Sequence, residues 1–402
     1  MSFDARVVGG VSLKVYTPIY GKIKLNGAVK ELLSTYELRR IDRISIGAAF
    51  FSYPFKSGYS RLEHSIGVAY LAQKLCVQLG IEERDLVTIA GLLHDIGLSP
   101  FSHTTEDYMV NFYGKNHKEM GASIIKGEVT ISQDNQKPIP EMLEKHGYDP
   151  KEVAAIAVND SNNVPQYLKD MFNQPFDLDV LDSVTHYSNC GFVNIKVRPV
   201  KMLRIYTIYK NKLIFNGKYI NDIWKIVRAR RCFYFDFKVQ EKARMDAIKS
   251  TLQKTIEYAL NKGFLDKNFV FMDDYELLHS LKQFNYCKDV VQDFLNGKTF
   301  PTILIKRVSR KQLKNIKESK NNIEGEIAEK TGIKEKYIVV STCTYKLSNI
   351  NCPVMTKEKI KPLHKVLDIA KAKPPKHYLF VHCKKQNNST KKIINKILAK
   401  YM

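Results

Sequence analysis

Between residues 63 and 93 apolar and polar positions recur with the period of an α-helix. Val68, Leu71, Ala72, Leu75 and Leu79 are spaced by three and four, which predicts one buried helix face over 63–79. His64 precedes Val68 by four residues and shares that face. A second helix is predicted to start near Asp85, a good N-cap, with Leu86, Ile89, Ala90 and Leu93 turned inward. His94 extends this row through Ala90, and Gly97 and Pro100 end the helix. Two successive helices thus carry a histidine on their inner faces. Burying His94 and Asp95 among leucines is costly unless something pairs with them, so the two histidines are expected to converge on a shared partner.

The pattern elsewhere is coarser. VSLKVYTPIYGKIKL (11–25) reads as strand, and AVKELLSTYELRRIDRI (28–44) has a helical period. LRIYTIYKNKLIFNGKYI (203–220) carries β-branched and aromatic runs around Lys-Asn and Asn-Gly, a hairpin signal. Long helical patterns fill 221–300. Beyond about 301, TILIKRVS, KYIVVSTCTYKL and HYLFVHCKK read as strands, while 354–371 and 389–401 read as helical. The expected fold is mainly α, with an inserted β-hairpin and a small C-terminal α+β lobe. Residues 1–300 would form the core and 301–402 the lobe, divided near Asn296–Gly297.

Composition narrows the setting. A chain of 402 residues suits one large domain plus a smaller one. No run reaches the roughly 18 apolar residues of a membrane span, and MSFDARVVGG has no apolar core of a secretory signal. The seven cysteines (Cys76, Cys190, Cys232, Cys287, Cys343, Cys352 and Cys383) are scattered and form no CxxC pair. That fits a reducing interior, and a cytoplasmic location is expected. The net charge of +23 is uneven. Residues 301–402 hold 24 Lys/Arg against 7 Asp/Glu, and 196–231 hold 11 against the single acid Asp222. Such runs suit polyanions, nucleotides or single-stranded nucleic acid, and equally suit solvated lysine faces.

The chemistry lies in SRLEHS around His64, GLLHDIG around His94-Asp95, and FDLDVLD around Asp179. Two imidazoles and two carboxylates suit a first-row divalent ion with positions left open for water and substrate. The order H…HD…D resembles the HD-domain metal-dependent phosphohydrolases. The blocks TPIYGKIKL, LRRIDRISIGAAFFSYP, SRLEHSIGVAYLA, AGLLHDIGLSPFSHTTE, HKEMGASII and LDVLDSVTHYS resemble the deoxynucleoside triphosphate triphosphohydrolases among them. That group includes bacterial dGTPases and the animal sterile-alpha-motif/HD enzymes. HYLFVHCKKQNNSTKKIINKIL is similar to the small C-terminal lobe of the animal type.

The resemblance implies an α-helical HD core with His64, His94, Asp95 and Asp179 as ligands of a divalent ion (manganese, iron, magnesium, zinc or similar). It makes His117, Glu106 and His103 catalytic, with Glu106 orienting His117 where the family more often has aspartate; the alternative is that the two histidines merely cap helix ends. Arg61 and, more loosely, Arg230 would contact phosphate. The implied reaction hydrolyses (deoxy)nucleoside triphosphates to nucleoside and triphosphate, in a homo-oligomer. Leu98 stands where a second histidine is usual, and Val180 and Ser183 stand where a lysine and a sugar-stacking tyrosine are usual, so deoxyribose selectivity does not carry over. Ser34, Arg39 and Asp42 likewise depart from the nucleotide-binding helix of the animal enzymes. These departures motivate a second reading, a phosphodiesterase, nuclease or hydrolase of another nucleotide on the same metal site. A third is a non-catalytic nucleotide- or nucleic-acid-binding module.

Overall fold

Helix Arg61–Leu79 begins where Ser60 accepts a hydrogen bond from the Glu63 amide at 3.1 Å, and it ends at Gly80 in the left-handed region. In the computed structural model, residues 13–402 are described except 26, 53–58, 132–136, 161–162, 233–237, 346–351, 358, 368–374 and 385–387. Helix Arg84–Leu93 follows and packs against helix Arg61–Leu79, and both bury their apolar faces in one large core. It starts one residue before the expected N-cap. Glu83 takes the cap position without a side-chain bond, and Asp85 sits in the first turn, where a carboxylate still favours the helix dipole. The helical period of 28–44 is broken into Gly27–Leu32 and Tyr36–Asp42, because Thr35 turns its hydroxyl to the Leu38 amide and caps a new helix.

Helices Glu106–Tyr113, His117–Ile125, Pro150–Val158, Leu178–Asn189, Ile220–Arg231 and Val239–Asn261 complete the surroundings of the site. Strands β1 (Leu13–Thr17) and β2 (Gly21–Leu25) form an N-terminal antiparallel hairpin. Strands β3 (Tyr206–Tyr209) and β4 (Lys212–Asn216) form the predicted second one. Its loop, Lys210-Asn211, has both residues at positive φ, the twist a two-residue hairpin needs.

The C-terminal lobe is a three-stranded antiparallel sheet. Its order is β5 (Thr302–Val308), β9 (Lys376–Cys383), β6 (Ile338–Tyr345). Helices Arg310–Glu318, Lys320–Thr331 and Asn388–Leu398 cover it around a second apolar cluster that includes Ile323, Ile327, Val381 and Ile394. The helical reading of 354–371 is wrong. Strands β7 (Pro353–Met355) and β8 (Ile360–Pro362) lie there, followed by the short helix Leu363–Val366, and 368–371 fall outside the described residues. β7 pairs in parallel with β4 (Phe215↔Val354), so the hairpin becomes a four-stranded sheet and Val354 is buried in the main core. A partner strand offered by a distant segment has overridden local helical spacing. Among the described residues no helix is long and apolar enough to cross a membrane.

Candidate metal centre and active site

Helix Arg61–Leu79 delivers His64 in its second turn, fully buried. His94 follows helix Arg84–Leu93 at its C-cap and turns Nδ1 to the Gly91 carbonyl at 2.8 Å. His64 turns Nδ1 to Asp182 Oδ2 at 2.7 Å. With both Nδ1 atoms engaged, the two Nε2 atoms face each other's neighbourhood, buried and without a hydrogen-bond partner. Asp95 and Asp179 close the ring. His64 Nε2 is 3.1 Å from Asp179 Oδ1 and 3.8 Å from Asp95 Oδ2, and His94 Nε2 is 3.6 Å from Asp95 Oδ1. His64, His94 and Asp95 can each present a donor atom within 4.8 Å of the others. Orphaned imidazole nitrogens beside carboxylates fit a divalent cation, whose binding would satisfy both Nε2 atoms.

Electrostatics support the same reading. Burial alone would lower the His64 pKa, yet Asp179 and Asp182 hold it up to about 10. Burial lowers the imidazole pKa of His94, which keeps it neutral. Burial opposes ionisation of Asp95, but His94 and Arg61 hold its carboxyl well below the usual range. His94 and Asp95 are thus neutral and ionised, the states a cation requires, whereas His64 holds a proton that a bound cation would displace.

Asp182 was not singled out in the sequence. It is fully buried and accepts from His64, from the Tyr20 hydroxyl in the N-terminal hairpin, and lies 3.3 Å from His186 Nε2. The spacing of three between Asp179 and Asp182 on one helix was the available signal. Gly67 makes room for it, since a Cβ there would stand 2.2 Å from Asp182 Oδ1.

The second group lies beside the first. Glu106 begins helix Glu106–Tyr113 and bridges two histidines, with Oε1 2.5 Å from His117 Nδ1 and Oε2 2.8 Å from His103 Nδ1. Burial would raise its pKa, but these contacts hold it far below the carboxylate range. His117 opens helix His117–Ile125, whose N-cap Asn116 forms a capping box with Glu119. Gly97 brings the two groups together, because a Cβ there would meet the His117 carbonyl at 2.1 Å and the Gly121 amide at 2.3 Å. The turn of the His-Asp motif therefore packs directly on the backbone that carries His117.

Arg61 is buried, with Nη1 2.7 Å from Asp95 and Nε 2.8 Å from Ser102 Oγ, and it also lines the cavity. Arg230 reaches the same cavity while donating to the Pro175 carbonyl and covering the Phe176 ring at 5.1 Å. Val180 and Ser183 line it too, and the Ser183 hydroxyl donates to Asp179 at 3.3 Å. Leu98 is fully buried, and its carbonyl accepts from the buried Arg40 at 2.8 Å. The turn after it is strained, with Phe101 and Ser102 at φ of 58° and 56°. Asp274 holds it by accepting the Phe101 and Ser45 amides.

Asp95, His103, His117 and Asp179 open into one cavity of about 580 Å³. The HD domain family model matches residues 61–166, and that of the HD associated region matches 244–397. Human deoxynucleoside triphosphate triphosphohydrolase SAMHD1 is 31% identical over 240 residues, covering 55% of this chain and 34% of that protein. An uncharacterized protein of Mycoplasma pneumoniae is 25% identical over 283 residues, covering 66% and 64%. The chain thus spans about a third of the first relative and under two thirds of the second. A phosphohydrolase structure from Bacteroides thetaiotaomicron superposes with a TM-score of 0.70 at 19% identity, over 92% of this chain and all of that one, a likeness of fold.

Proposed function

The chain is a hydrolase of the HD superfamily, and on that footing we propose that it hydrolyses nucleoside triphosphates at the α-phosphorus, releasing nucleoside and triphosphate. The observation that carries this reading is one cavity shared by Asp95 and Asp179 of the candidate ligand set, the Glu106-bridged histidines and five cationic side chains. Arg61, Lys118, Arg230, Lys242 and Lys249 all line it, and its 580 Å³ suits a nucleotide. SAMHD1 bears a triphosphohydrolase name, which supports the substrate class.

His64, His94, Asp95 and Asp179 would hold a divalent ion, which supplies Lewis acidity and lowers the pKa of a bound water. Glu106 accepts the Nδ1 proton of His117 and leaves Nε2 to take or return a proton in the cavity. His103, held by the other carboxylate oxygen, is placed to do the same for a leaving oxygen. Arg61 fixes Asp95 and adds positive charge at the cavity wall. Val180 and Ser183 leave the floor near Asp179 without a bulky side chain, so both ribo- and deoxyribonucleotides fit the reading.

The test is a panel of ribo- and deoxyribonucleoside triphosphates with Mn²⁺ or Mg²⁺, with products identified by chromatography. Nucleoside and triphosphate in equal amounts are expected, with turnover falling at least a thousandfold in Asp179→Ala. Monophosphate and pyrophosphate would mean cleavage of the α–β anhydride and overturn the proposal, and cleavage of single-stranded nucleic acid dependent on Asp179 would instead establish the diesterase reading.

A further inference from the structure

The cavity is not built by the helical core alone. Cys343 and Tyr345 of β6, in the C-terminal lobe, line it together with Asp179 and His117. Two residues apart on one strand, they share a face of the sheet. The opposing element is helix Val239–Asn261, which turns Lys242, Met245, Asp246 and Lys249 to the cavity. Their spacing of three, four and seven is one helical stripe. At its upper end the Lys242 ammonium lies 4.1 Å from the centre of the Tyr345 ring, and the Tyr378 ring meets Tyr345 edge-on at 5.9 Å. Aromatic and cation are thus held against each other at the junction of core and lobe.

The junction is anchored by buried polar contacts. Asp246 is 3.1 Å from Nε2 of the fully buried His382 on β9 and accepts the Ser341 hydroxyl of β6. Lys254 pairs with Glu324 of the lobe, and Glu324 also accepts the Val340 amide of β6 at 2.7 Å. β6 therefore has a fixed height above the cavity. The wall next to Asp179 offers the small side chains of Val180, Ser183 and Val184, whereas Phe50 and Tyr187 stack on each other, with ring centres 6.1 Å apart. Tyr345 is the aromatic that the lobe brings to the cavity.

We propose that Tyr345, backed by Lys242, is a specificity-determining residue of the lobe that stacks on the planar base of the substrate. The proposal rests on the nucleotide reading above. A base has a π-face whatever its edge pattern, so such stacking supplies affinity for nucleotides over abasic phosphates and favours the larger purine ring.

The experiment measures triphosphate release by the full chain from dGTP, dCTP and base-free 2-deoxyribose 5-triphosphate, in the wild type, Tyr345→Ala and Tyr345→Phe. In Tyr345→Ala, KM for dGTP should rise about tenfold, less for dCTP, with kcat within about twofold. Turnover of the base-free substrate should be unchanged, which also shows that the variant is folded, and Tyr345→Phe should behave as wild type. Equal losses on all three substrates would make Tyr345 merely structural and overturn the proposal, as would an unchanged KM for dGTP in an active variant. A wild type that neither binds nor hydrolyses any nucleotide would overturn the nucleotide reading itself, and the base-stacking role with it.

Discussion

At the scale of single residues, the site depends on which nitrogen each histidine turns inward. Asp182 fixes this for His64 by accepting Nδ1–H, and the Gly91 carbonyl fixes it for His94. Burial works against ionisation of Asp182, yet contacts from His186 and His64 hold it well below the carboxylate range. Replacing Asp182 by Ala should weaken divalent-metal affinity by about 10- to 100-fold, read by chelator competition rather than by turnover. Asp182→Asn, which keeps an acceptor oxygen, should lose less. Unchanged affinity in Asp182→Ala would mean that packing alone orients His64. The candidate ligands were legible in the sequence because their motifs are local. Asp182 was harder to read, since its value comes from Tyr20 and His64, which lie 162 and 118 positions away in the chain.

At the scale of elements, the turn after His-Asp is held from outside. Its positive φ values at Phe101 and Ser102 persist because Asp274, from helix Asp274–Gln283, accepts the Phe101 amide. Burial pushes the Asp274 carboxyl up to about 7 from its ordinary 3.8. Between about pH 4 and 7 the folded chain keeps a proton that the unfolded chain has lost, so stability falls as pH rises through that window, by up to about 1.4 kcal/mol per unit. Above pH 7 this contribution is gone. Urea denaturation of wild type and Asp274→Asn should therefore show a stability difference that favours wild type most at pH 5 and shrinks or reverses by pH 8. A difference independent of pH would show that Asp274 is ionised throughout. Helix periods and hairpin loops were readable here because they depend on neighbours in the chain. The strands β7 and β8 were not, because β7 is a strand only beside β4.

At the scale of the whole molecule, the lobe has its own apolar cluster and meets the core both through a small apolar patch (Val290, Phe300 and Val339) and through buried charge. Lys254 and Glu324 are 4% and 2% exposed, and the Val340 amide shares the carboxylate. Glu324→Ala would leave the Val340 amide unpaired and the buried Lys254 ammonium with only the longer contact to Glu335 at 3.9 Å, and should cost about 3 kcal/mol. The double change Lys254→Met with Glu324→Leu should recover most of that loss, read from denaturant midpoints. A small effect of Glu324→Ala would show that water reaches the pair. Because β6 carries Tyr345 at this junction, loosening the pair should also raise KM for nucleotides.

The sequence by itself determined the mainly helical class, the 203–220 hairpin, the α+β lobe and the likeness to HD hydrolases, because helical periods, turn residues and ligand motifs are short-range patterns. Only the tertiary structure decided that Gly67 and Gly97 are close-approach positions, that Leu98 is fully buried, and that a lobe strand walls the cavity. Those outcomes depend on which distant surfaces meet once the apolar faces are buried, and periodicity along a chain carries no record of that.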